Sequence, residues 1–407
     1  MWAPASDQER ESFANKYNIV NQPQQQPMLL WYEINGDPND TPYNTILDGT
    51  IFQTLSTEAV AWLNAGTAFV VVHTANECQG PIYTDEVENA DYFNSHITMA
   101  QAAIAAGFPA QSVIWITGDL NAEATFNHTA DIHIISECVF VSMMHRMITP
   151  GHNNITETTF DHPGDFHNLR AISPNRHINS HRTYMLSRIF QEGLMQKINL
   201  SFPRHLHGKT INDGYCDLRI IAKNQPSFDK YHIIDYQRLA HTCLELYQCQ
   251  LPRTIDIDPN TNTCLGMDAF LSLKEPYQKS MYCILTESHA TGGKCFISEA
   301  LILSIVLRTP ALVVGNKGTI AQMKAWGFHT FDDMFDESYD DQVDDVQRYE
   351  MIVQQIREIN SWPFAQALAV RRSMQQKMDE NFQRLSTLAA ELDQTLENKL
   401  LTIMGVL

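Results

Sequence analysis

Positive charge is scarce in this chain. Lys and Arg number 28 against 47 Asp and Glu, a formal net charge of -19 over 407 residues. So acidic a surface repels duplex nucleic acid and anionic lipid unless a local basic patch is built. Its plain role is solubility. Long apolar runs are missing as well. No stretch approaches the roughly eighteen uncharged residues of a membrane span. The first residues lack a basic start followed by an apolar core, so no secretory signal and a cytoplasmic location are expected. The eight cysteines, Cys78, Cys138, Cys216, Cys243 and Cys249 among them, form no tight CxxC pair. Reduced, mostly buried thiols are the expectation. There is no HExxH and no GxGxxG. Of the 16 histidines, the His205-Leu206-His207 triplet has no acids at ligand spacing. Asp256-Ile257-Asp258 follows no clean strand, so no metal site is expected.

The length of 407 residues is enough for two domains, and an apolar content of 44% marks a folded, globular chain. Residues 1–27, ending in QPQQQP, read as a loosely held arm. From 28 to 160 the pattern alternates. MLLWYEI (28–34), TAFVVVHT (67–74), SVIWITGD (112–119) and DIHIISECVF (131–140) read as buried strands. STEAVAWLNAG (56–66) and MAQAAIAAG (99–107) between them read as helices closed by glycine. Such alternation describes a parallel α/β domain, with ligands beyond the carboxyl ends of its strands. Two tips stand out there, His73-Thr74-Ala75-Asn76-Glu77 and Gly118-Asp119-Leu120-Asn121. A Gly/Pro/His-rich stretch, 149–167, marks a boundary. A second α/β domain is expected over 161–345, although 196–262 shows few clean periods. Residues 346–407 are helix-forming. Met378, Phe382, Leu385, Leu388, Leu392, Leu396 and Leu400 make an apolar seam there, packing within the chain or against a second copy.

The second domain carries the candidate chemistry. Arg176 and Arg182 flank a strand tip and a helix start, where guanidinium forks and the helix dipole suit a diphosphate. His177 and His181 are further donors beside them. Glu287 ends a strand, and Glu299 opens a helix behind Ser298, a candidate cap. Carboxylates so placed suit sugar or ribose hydroxyls. Gly315 and Gly318 bracket Asn316 and Lys317 in a tight strand-to-helix turn that can approach a phosphate, with Lys317 a further cation. FDESYDD (335–341) reads as a solvated acidic loop from which Tyr339 can pack back.

Two stretches resemble a known family. TES…FISEA…RTPALVVGNKGTIAQMKAWGFHTFDDMFDESYD and SPNRHINSHR resemble proteins common in bacteriophages and marine viruses. Both are distantly similar to the donor-binding half of fucosyltransferase-like GT-B enzymes. The resemblance implies a GT-B-like α/β architecture: two Rossmann-like domains facing a cleft, with C-terminal helices. It places Asn175, Arg176, His181 and Arg182 against a donor diphosphate, and Glu287 and Glu299 against the donor sugar or ribose. Glu77 becomes the candidate base, with His73 beside it on the same tip. Ala300 departs from the family pattern, which has lysine there. Lys294, Lys317 or Arg308 would have to supply the missing charge.

The expected activity is metal-independent, inverting transfer of a sugar from a UDP- or GDP-sugar, with no permanently bound cofactor. The acceptor is a glycan, a protein, a small molecule or, given a viral source and host cytoplasm, a hydroxymethylated DNA base. A non-catalytic sugar-nucleotide-binding or structural viral protein is the alternative. A sugar-nucleotide epimerase is a third class.

Overall fold

The computed structural model describes residues 27–33, 50–75, 95–128, 130–149, 170–206, 209–215, 236–253, 255 and 273–406. The expected arm, Glu77, most of the 149–167 boundary, and Asp256 and Asp258 lie outside the described residues. The chain divides into two compact units. One comprises Met1–Ser142, Gly293–Phe296 and Ala389–Leu407, and the other Met143–Gly292 and Ile297–Leu388.

The first unit is built on four parallel strands, β1 (Met28–Glu33), β2 (Ala68–Thr74), β3 (Val113–Thr117) and β4 (His133–Ser136). They lie in sequential order, β1-β2-β3-β4. Helices α1 (Thr57–Asn64), α2 (Ser95–Ala105) and α3 (Ala122–Phe126) fall between them. The Ser56 hydroxyl caps α1 by accepting from the Ala59 N–H at 3.1 Å. Strand residues alternate between two apolar faces. Val70, Val72, Val113 and Trp115 join Leu63, Met99 and Ala103 of the helices on one face. Leu29, Val71, Ile114, Ile116 and Ile135 meet Leu396, Leu400 and Met404 on the other. The C-terminal seam thus buries side chains within its own chain. The stretch 131–140 differs from its expected single strand. Only His133–Ser136 is extended, and from Val139 the chain enters α4 (Val139–Ile148). The bulky residues of CVF fit a buried helix as well as a strand.

The β3 tip is spent on the chain itself. Asp119, fully buried, accepts from the N–H groups of Asn121 and Cys295, both at 3.1 Å. Leu120 donates to the Cys295 carbonyl at 2.8 Å, and the Asn121 amide to the Gly293 carbonyl at 2.9 Å. The tip read in sequence as a ligand edge therefore grips residues 293–296.

The second unit carries another parallel sheet. It is made of β5 (Ala171–Pro174), β6 (Ile198–Ser201), β9 (Tyr282–Thr286) and β10 (Ala311–Val314), in the order β10-β9-β5-β6. A small hairpin, β7 (His205–Leu206) with β8 (Lys209–Thr210), follows β6. Helix α5 (Ser180–Gln191) joins β5 to β6. Helix α6 (Tyr236–Glu245) runs into a π-helical turn, Leu246–Gln250, and α7 (Lys274–Gln278) precedes β9. Helix α8 (Glu299–Val306) joins β9 to β10, and α9 (Thr319–Ala325) follows. Three helices close the chain: α10 (Asp345–Ser361), α11 (Phe364–Ser373) and α12 (Gln375–Ile403). Arg188 of α5 holds Glu350 of α10 through two N–H···O bonds, at 2.6 and 3.0 Å. Such a forked pair fixes one helix on the other.

Both sheets are parallel and almost wholly buried, as α/β sheets with covered faces are. The four Cys described as buried, Cys138, Cys243, Cys283 and Cys295, are free thiols, and Cys249 is an exposed one. Among the described residues no helix is long and apolar enough to cross a membrane.

Candidate functional site

The two sheets differ in a way that locates a site. In an open parallel sheet, a crevice opens where neighbouring strands send their connections in opposite directions. The first unit's order runs straight through and has no such reversal among the described strands. In the second unit β5 connects outward to β6 on one side, and β9 connects outward to β10 on the other. The reversal lies between β5 and β9, whose carboxyl ends carry Asn175 and Glu287.

Four sequence candidates of this unit, Asn175, His181, Arg182 and Glu287, converge there, and their hydrogen bonds sort them into two groups. Asn175 faces inward. Its amide nitrogen donates to the Ser173 carbonyl at 3.2 Å and hydroxyl at 3.1 Å, and its oxygen accepts from the Thr286 hydroxyl. His181 is buried and donates through Nε2 to the Glu287 carbonyl at 2.7 Å. Burial, and then the neighbouring Arg182 charge, push its pKa down to about 3, so the ring is neutral. Asn175 ties the end of β5 to the end of β9, and His181 ties the start of α5 to the residue that follows β9. Both were expected to contact a diphosphate; the Asn175 amide and His181 Nε2 are hydrogen-bonded within the protein.

Arg182 and Glu287 are different. Arg182 donates through Nη2 to the Thr286 carbonyl at 3.0 Å, and its Nε is buried with no hydrogen-bond partner. Burial lowers its pKa to about 10, offset by the charges of Glu299 and Glu287, so it stays cationic at neutral pH. Glu287 has no exposed surface. One carboxylate oxygen accepts from the Ser298 N–H at 3.1 Å, and the other has no partner. Burial raises its pKa to about 7, against the opposing Ser298 hydrogen bonds. A buried polar atom without a partner costs roughly 1–3 kcal/mol. Two such atoms of opposite character at a strand-order reversal are what a polar ligand would satisfy.

Glu299 opens α8 half-buried, behind the Ser298 hydroxyl, which accepts from Ala300 N–H at 3.2 Å. Arg176 is half-buried just past β5. Lys317 is exposed, and Gly315 is buried at the end of β10. The turn they form does not present a vacant helix end. Asp340 places its two carboxylate oxygens on the N–H groups of Ile320 and Ala321, at 3.1 and 3.0 Å. The anion position at the start of α9 is thus filled from within. Asp340 and Tyr339 are buried, and the Tyr339 hydroxyl accepts from the edge N–H of Val313 at 3.3 Å. The acidic stretch expected to be solvated instead caps a helix and covers a sheet edge.

Arg348 escaped the sequence reading. It is 1% exposed and donates to the carbonyls of Gly315 (3.1 Å), Gln342 (2.9 Å) and Ala290 (2.7 Å), and to Asp345. Tyr349 adds a bond to the Ala290 carbonyl at 2.7 Å. Together they fix the loops that follow β9 and β10. The i,i+3 spacing of Asp345 and Arg348 was the sole sequence signal, and such pairs are common on exposed helices.

In the first unit His73 is buried at the end of β2. Its ring stacks on Trp31 at 5.4 Å, and its Nε2 lies 3.6 Å from the Glu137 carboxylate. Among the described residues no group of three or more His, Cys, Asp or Glu is arranged to hold a metal ion. No protein-family profile matches the chain, and no curated protein sequence matches it.

Proposed function

We propose that this chain is a GT-B-type glycosyltransferase that binds a nucleoside-diphosphate sugar at the β5–β9 reversal of its second unit. The observation that carries the reading is the convergence there of cationic Arg182 and buried Glu287, each with an unsatisfied polar atom. Transfer needs the leaving diphosphate's charge neutralised and the sugar's hydroxyls oriented. Arg182, helped by Arg176, answers the first need, and Glu287 with Glu299 the second. The C1–O bond to the diphosphate breaks as the acceptor oxygen bonds C1 from the opposite face. The nucleoside diphosphate departs with the bonding pair. The acceptor's proton passes to a general base. Charge neutralisation by arginine makes a divalent ion unnecessary in this scheme.

A second reading, a sugar-nucleotide-binding protein without transfer activity, draws on Ala300 standing where the resembled family has lysine, and on the β3 tip being spent on residues 293–296. Incubation with UDP- and GDP-sugars, with and without a panel of glycan, peptide and hydroxymethylated-DNA acceptors, separates the two. Release of nucleoside diphosphate that an acceptor stimulates and EDTA leaves intact supports transfer. Binding with no turnover on any acceptor supports the second reading.

A further inference from the structure

An aromatic cluster beyond the carboxyl end of β6 has no role in the scheme above. His205 and Tyr247 meet edge to face at 5.3 Å, and the Tyr247 hydroxyl lies 3.0 Å from His205 Nε2. The Arg204 guanidinium lies over the Tyr247 ring at 5.7 Å, and its Nη2 donates to the Leu251 carbonyl. Tyr247 sits in the π-helical turn Leu246–Gln250, a distortion that recurs at functional sites. The turn's exit is stapled to the continuation of β6 by paired bonds between Phe202 and Arg253, at 2.9 and 3.1 Å. His205 is exposed and Tyr247 half-buried, so a rigid aromatic pair is held open to solvent at the carboxyl edge of the sheet.

We infer that Arg204, His205 and Tyr247 form the nucleobase subsite of the donor, which rests on the diphosphate reading of the β5–β9 reversal. The direction follows from the sheet. Glu287 and Glu299 belong to β9 and α8, so the sugar end points toward β10. The nucleoside end must then run the other way, past β5 toward β6. The Asn175 N–H, at 3.2 and 3.1 Å from the Ser201 carbonyl and hydroxyl, joins those two strand ends directly. From β9 to β6 is two strand spacings, ~10 Å, a distance that a diphosphate and ribose bridge. An aromatic ring stacks on a base whatever its identity, and an arginine or imidazole beside it hydrogen-bonds the base edge.

The test compares inorganic pyrophosphate with UDP, GDP and ADP, by calorimetry on the full chain and on Tyr247→Ala, Tyr247→Phe and His205→Ala. Intact protein binds one nucleoside diphosphate about tenfold or more tighter than pyrophosphate, the gain expected of one stacked base. Tyr247→Ala and His205→Ala bring that nucleotide down toward pyrophosphate and leave pyrophosphate unchanged, while Tyr247→Phe retains most of the gain. Nucleotide preference that survives both alanine variants overturns the subsite and leaves the diphosphate site standing. Failure of pyrophosphate and every nucleotide to bind overturns the diphosphate reading and the subsite together.

Discussion

Replacing Glu287 by Gln should change how stability depends on pH. The carboxyl is fully buried, and burial raises its pKa from 4.5 to about 7. The folded protein therefore holds this proton more tightly than the unfolded chain does. Its contribution is fully present below about 4.5 and is lost as pH rises through about 7. The rise corresponds to about 3 kcal/mol. Gln is close in size, keeps an acceptor for the Ser298 N–H, and never ionises. Urea unfolding of wild type and Glu287→Gln, followed at intervals from pH 4.5 to 8, isolates the term because other groups titrate alike in both. The variant should gain on wild type by about 3 kcal/mol across that range. Curves that stay parallel to within ~0.5 kcal/mol would refute the reasoning. They would mean that the carboxylate ionises in the folded protein at no cost, as a solvated strand end would.

Three further substitutions probe the frame. Leu400→Ala empties a position 2% exposed against Leu29, Val71 and Ile114, and should lower urea stability by roughly 2–5 kcal/mol, whereas exposed Asn398→Ala should stay within ~0.5. Asp340→Ala orphans the Ile320 and Ala321 N–H groups and should cost about 1–3 kcal/mol, with amide exchange accelerated across α9. Arg348→Met removes the arginine from the buried Asp345 carboxylate and should cost about 3–5 kcal/mol, part of it restored by adding Asp345→Leu.

The sequence made the parallel α/β character legible because strands buried on both faces read as unbroken apolar runs. AFVVVHT, VIWIT, YCILT and ALVV are such runs, and all are strands. It also brought Asn175, His181, Arg182 and Glu287 to one place, since residues at strand tips of one sheet share an edge. Which of them faces inward was not legible. That depends on partners a hundred residues away, such as Thr286 for Asn175 and the Glu287 carbonyl for His181. The strand order β10-β9-β5-β6 was equally hidden, because alternation of helix and strand is the same whichever side a strand joins. Asp340 was misread for a related reason. A run of carboxylates looks solvated until a helix start lies against it, and hydropathy does not register a cap supplied from twenty residues downstream. Arg348 was hard to single out because three of its acceptors are backbone carbonyls, which have no sequence signature, and its i,i+3 spacing with Asp345 is common on exposed helices.

The central claim is that the β5–β9 reversal of the second unit binds a nucleoside diphosphate through Arg182. Calorimetric titration of UDP and GDP into intact protein and Arg182→Ala, in EDTA, tests it most directly. One nucleotide should bind without a divalent ion, and the variant should lose about ten- to hundredfold in affinity, as expected for a charge-assisted hydrogen bond, with its circular dichroism unchanged. Equal affinity in the variant, or no binding by the intact protein, would contradict the account.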